Sequence, residues 1–162
     1  MDIKFKKSEL VDIINEEIDR LAARTYTEDG VSLFDSIRIT SRDARVQARL
    51  LDERDARLRS IIAFCLGDRD RESEIGLQGG VVDAYIVYEV LPEKLSKAPS
   101  QNLLTTLLRK YLVDSVLCDW YIKHSIDAPV SPEIIEALES KIVYTLRQGF
   151  ARKPMQPFGP KF

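Results

Sequence analysis

His124 is the only histidine in the chain, and a histidine used as a general base needs an orienting acid and a substrate pocket. Asp127 is close in sequence, but nothing else supports a pocket there. His124 falls at the end of a long helical pattern, where an imidazole meets the negative helix terminus. Cys65 and Cys118 sit inside apolar helical patterns, far apart and without an obvious basic neighbour, so they read as small buried thiols. One histidine and two distant cysteines cannot supply zinc-ligand spacing. Asp68, Asp70 and Glu72 alternate as in a calcium loop, yet the sixth position from Asp68 is not glycine and the twelfth is not glutamate. Gly76, Gly79 and Gly80 form no dinucleotide or phosphate fingerprint, and no Gly-x-Ser-x-Gly occurs. These residues lead to the expectation of no enzymatic activity, no cofactor, no metal and no small-molecule substrate.

The strongest charge feature is a run of arginines: Arg38, Arg42, Arg45, Arg49, Arg54, Arg57 and Arg59. Arg42, Arg45 and Arg49 recur at three- and four-residue steps and would share one helix face. Such a stripe can follow a phosphate backbone or meet an acidic protein surface. Asp43, Asp52, Glu53 and Asp55 lie in the same segment and can pair with it at helical spacing. Mixed signs cancel the long-range field, so a solvated, salt-bridged face is favoured over a nucleic-acid site. A protein interface is a third option.

The elements that would hold these residues are mostly helical. The chain has 162 residues, 44% hydrophobic and 31% charged, enough for one domain with one core. Its formal charge of −2 disfavours non-specific nucleic-acid binding. The stretch MDIKFKKSEL has lysines without a following apolar run, so no signal peptide is expected and a cytoplasmic setting is. Leu103 to Ile122 is apolar around nearly the whole helical wheel, as expected of a central core helix. Arg109, Lys110, Asp114 and Asp119 make a membrane span costly.

Four helices and one small β element are expected in a mainly α single-domain bundle. The first helix runs from a capping Ser8 to about Arg24, with Leu10, Ile14, Ile18 and Leu21 inward. Residues 32–39 are an ambiguous connector. The second helix starts at Thr40–Asp43 and reaches about Leu66, with Ala44, Ala48, Leu51, Leu58, Ile62 and Cys65 inward. Asp55 breaks that stripe, through either a bend or a buried ion pair. Residues 67–80 form a polar, glycine-bearing loop. Residues 81–91, rich in Val, Ile and Tyr and stopped by Pro92, read as a strand. That strand needs a partner from 32–39, from 73–79 or from another subunit. The core helix spans about 100–125, with Trp120 as a core plug. Ser131, Pro132 and Glu133 start a last helix whose inward face is Ile135, Leu138, Ile142 and Leu146. The expected domain is 1–149. Residues 150–162 form a basic tail that Pro154, Pro157 and Pro160 keep extended.

The segments DAYIVYEVLPEKL and YLVDSVLCDWYI, followed by a last helix and a basic proline tail, carry a family likeness. Its residues are Tyr88, Leu91, Pro92, Tyr111, Leu112, Val113, Leu117, Trp120 and Arg152-Lys153-Pro154, within residues 8–153. The arrangement resembles phage and prophage structural proteins of the head–tail connector or adaptor class. The resemblance implies a helical, non-enzymatic subunit that assembles into rings between portal and tail, and so a virion component. The implied partners are copies of itself and phage portal or tail proteins. The surfaces expected to serve are Tyr85 and Val87 on the strand, Phe150, Arg152, Lys153 and Phe158 in the tail, and the Arg42, Arg45 and Arg49 face. The alternative is a small helical nucleic-acid-binding regulator using those three arginines.

Overall fold

A computed structural model describes residues 1–22, 41–67, 75–78, 81–95, 99–124 and 130–148. Within them, strand β1 (Asp2–Lys6) leads into helix α1 (Lys7–Ala22), and helix α2 (Ser41–Ile62) ends in a 3₁₀ turn at Ala63–Cys65. Strands β2 (Ile75–Gln78) and β3 (Val81–Glu89) precede a second 3₁₀ turn at Pro92–Lys94, helix α3 (Gln101–Lys123) and helix α4 (Pro132–Arg147). The expected mainly α domain with a small β element is observed. The Thr40 cap, the 32–39 connector, the loop residues 68–74 and the tail from 149 lie outside the described residues.

Helix α3 is the hub because most of its circumference is apolar and buried, leaving water a narrow side that includes Thr106, Arg109 and Lys110. Leu104, Leu108, Tyr111, Leu112 and Val116 are fully buried, and Trp120 and Tyr121 nearly so. Helices α1, α2 and α4 all pack against it. Each does so through the stripe its apolar spacing specifies: Leu10, Ile14 and Ile18 from α1, Leu51, Leu58 and Ile62 from α2, and Ile135, Leu138, Ile142 and Leu146 from α4. Gln47 of α2 is also fully buried, against expectation, while Ala48 is only half-buried.

The expected strand has partners within its own chain. β3 lies centrally in an antiparallel sheet of order β1-β3-β2. β1 pairs with its second half, Asp2 opposite Glu89 through Lys6 opposite Tyr85. β2 pairs with its first half, Ile75 opposite Ala84 through Gln78 opposite Val81. The 73–79 option for the partner therefore holds, and a strand from another subunit is not required. β1 was not anticipated, because DIKFK is short and carries three charges. Its alternation buries Ile3 and Phe5 on the same face as Ile86 and Tyr88 while Asp2 and Lys4 stay exposed.

Two start signals act differently from expectation. Helix α1 begins at Lys7, so Ser8 lies in its first turn instead of capping it. Ser131 holds the N-cap position of α4 with extended backbone, and its carbonyl accepts from Ile134 N and Ile135 N. Its side chain caps no backbone amide; the hydroxyl turns to Glu133, whose carboxyl it holds below the usual range.

Asp55 resolves as a half-buried ion pair. Arg59 Nε donates to Asp55 Oδ2 at 3.0 Å, and the Tyr88 hydroxyl donates to Asp55 Oδ1 at 2.6 Å. Arg59 also stacks its guanidinium 4.8 Å from the Tyr88 ring centre and donates from Nη2 to the Val87 carbonyl at 2.8 Å. One arginine thereby fastens α2 to both a side chain and the backbone of β3. Tyr88 is fully buried, and desolvation first, then the Asp55 charge, push its phenol well above its ordinary pKa.

A second polar cluster joins α2 to α3 and α4. Arg54 forms a two-point pair with Asp119, and Arg57 another with Glu139 at 2.6 and 2.9 Å. The Tyr111 hydroxyl donates to Glu139 Oε1 at 3.0 Å. The Arg57 hydrogen bond is the main cause holding the Glu139 carboxyl below the usual carboxylate range. A carboxylate with a lowered folded-state pKa stabilises the fold above its unfolded value, and that contribution is lost as pH falls through the folded value. Urea midpoints measured downward from neutral pH are therefore expected to fall less steeply in Glu139→Gln than in the wild type. Equal slopes would remove Glu139 from the acid response.

Candidate interaction surfaces

Of the side chains first considered for chemistry, His124, Cys65 and Cys118 are described, whereas Asp127, Asp68, Asp70 and Glu72 lie outside the described residues. His124 follows the last turn of α3, where its Nδ1 lies 2.8 Å from the Trp120 carbonyl and its ring stacks on the indole at 4.1 Å. Cys65 and Cys118 are free and buried. Burial pushes the Cys65 thiol up to about 11 and raises Cys118 as well, which keeps both away from the reactive thiolate. Among the described residues, no group of three His, Cys, Asp or Glu could hold a metal ion. No described helix is long and apolar enough to cross a membrane.

The arginine-rich helix divides into two parts. Arg54 and Arg59 are half-buried and bind Asp119 and Asp55, while the more exposed Arg57 binds Glu139. Of the three residues first placed on a shared outer face, Arg45 is exposed, and Arg49 is 82% exposed with Nε 3.2 Å from Glu53 Oε1. Arg42 lies in the first turn of α2, and its side chain is outside the described set. The Arg49–Glu53 pair is the helical-spacing pairing expected of a salt-bridged face. Asp52 joins Lys7 of α1 at 2.5 Å, so Asp52, like Glu53 and Asp55, is engaged in an ion pair.

Tyr85 and Val87 are half-buried, in the opposite alternation phase from the core residues Ile86 and Tyr88. Phe150, Arg152, Lys153 and Phe158 lie outside the described residues.

Two surfaces were missed at the level of the sequence. The first is on α4, where Ile134 is 48% and Tyr144 64% exposed. Exposed Ala137 and Lys141 lie between them along one side of the helix, about 15 Å from end to end. A helical wheel that separated Ile134 and Tyr144 from the inward stripe Ile135–Leu138–Ile142–Leu146 would have exposed this strip. The second is β2, an edge strand whose IGLQ sequence contains no charge and no proline. Edge strands are commonly guarded by both. β1 carries such charges and β2 carries none.

Comparison with known proteins finds no matching family, no matching curated protein and no matching solved structure.

Proposed function

We propose that this chain is a structural subunit that works by docking and self-association, in the manner of the phage head–tail connector class it resembles. The observation that carries the reading is the exposed apolar side of α4. An isoleucine and a tyrosine left in water on one helix side, beside a well-filled core, are the composition of a contact surface. The charged side chains give concordant support, since Arg54 and Arg57 are spent on joining helices and Arg59 on fastening α2 to β3. On this reading the partners are further copies and neighbouring portal or tail proteins, and the protein acts as a virion component without catalysis.

A nucleic-acid regulator using Arg42, Arg45 and Arg49 ranks second. Pairing of Arg49 with Glu53 weakens the field a phosphate backbone would meet.

Absolute mass by light scattering after gel filtration, over a wide concentration range, tests the lead reading. The expected result is a species of several subunits that shifts toward the monomer in Ile134→Glu/Tyr144→Glu. A wild-type monomer at every concentration would overturn self-association. An unchanged assembly in the double variant would remove α4 from it.

A further inference from the structure

The hydrogen-bond phase of β3 determines which backbone groups of β2 face outward. Val90 N–H donates to the Met1 carbonyl at 2.8 Å, so the even-numbered residues of β3 turn their amides and carbonyls toward β1. The odd-numbered residues turn to the opposite edge. There the Glu89 carbonyl accepts from Gly67 N–H at 2.9 Å and the Val87 carbonyl accepts from Arg59. Val81 and Asp83 therefore bond to their register partners on that edge, Gln78 and Gly76. By the same alternation, Ile75 and Leu77 turn their N–H and C=O groups away from β3. No strand among the described residues pairs with them.

We infer that the outer edge of β2 pairs antiparallel with β2 of a second copy, about a two-fold axis at Gly76. This inference rests on the self-association reading and names one contact within it. The occupant follows from the fit of the strand to itself. A two-fold axis at Gly76 sets Ile75 opposite Leu77 of the second copy, and each pair exchanges two hydrogen bonds between groups already turned outward. The intervening non-hydrogen-bonded position, where antiparallel backbones come closest, then carries glycine from both copies. No like charges meet, because the strand has none. Beyond β2, Arg59 and Gly67 already occupy the β3 edge at Val87 and Glu89. The pairing is therefore confined to β2, and the two sheets merge into one six-stranded sheet, since each contributes three strands.

Two measurements on the full chain decide it. Backbone amide exchange, followed across protein concentration, should slow at Ile75 and Leu77 as the protein associates. Exchange at Gly76 and Gln78, bonded to β3 in either state, should depend far less on concentration. Sedimentation should show self-association of Leu77→Pro weakened roughly tenfold or more, because each copy loses one outward donor without touching the β3 ladder. Leu77→Ala keeps that donor and should associate as the wild type does. An associating wild type whose Ile75 and Leu77 amides ignore concentration would overturn the edge pairing while leaving self-association intact. A wild type that stays monomeric throughout would overturn both.

Discussion

Replacing Asp55 by alanine is expected to destabilise the fold by about 3 kcal/mol, roughly a 10 °C fall in Tm for a chain of this size. The cost has two sources. The Tyr88 hydroxyl, fully buried and donating only to Asp55 among its described contacts, would be left without an acceptor. Arg59 would lose the carboxylate that orients it toward the Val87 carbonyl. Tyr88→Phe removes the hydroxyl but leaves the Asp55–Arg59 pair intact, and should cost only about 1 kcal/mol. Urea denaturation of the two variants and their double mutant separates the terms. If Asp55→Ala unfolds at the wild-type midpoint, the network has no energetic weight.

Trp120→Ala is expected to cost about 4 kcal/mol, in the range for deletion of a large buried aromatic. The indole is 2% exposed, meets Tyr121 edge-on at 5.4 Å and carries His124 stacked on its face. Trp120→Phe should cost far less, on the order of 1 kcal/mol. Much of the apolar volume is kept, and Nε1 has no hydrogen-bond partner among the described residues, so its removal deletes a polar group that gains nothing from burial. Thermal unfolding followed by far-ultraviolet circular dichroism serves for both variants. Equal losses in the two would show that the indole nitrogen has a partner, water included, worth as much as the ring packing.

The helices were legible because their apolar spacing is regular and their faces are buried against one hub. Ile135, Leu138, Ile142 and Leu146 could be named from α4 alone, and all four are buried. The strand at 81–91 was legible from its Val, Ile and Tyr content, and its partner at 75–78 lies within one of the expected segments. β1 was not legible. A five-residue strand shows its alternation only once the ladder from β3 says which residues turn inward. The fate of Asp55 was open for a related reason, since its partner Tyr88 lies 33 residues away. The arginines divided as they did because Asp119 and Glu139 reach α2 only when the helices pack. Spacing within α2 could suggest the Arg49–Glu53 pair, but not these.

The β1–β3 ladder also bears on how the chain reaches its fold. It joins Asp2 to Glu89 across α1 and α2, whereas the β2–β3 ladder closes Gln78 onto Val81. Loop-closure entropy makes ladders of the first kind late and those of the second kind early. Until β1 docks, the even-numbered edge of β3 stands as an open template, and the helices must carry the nascent topology without it.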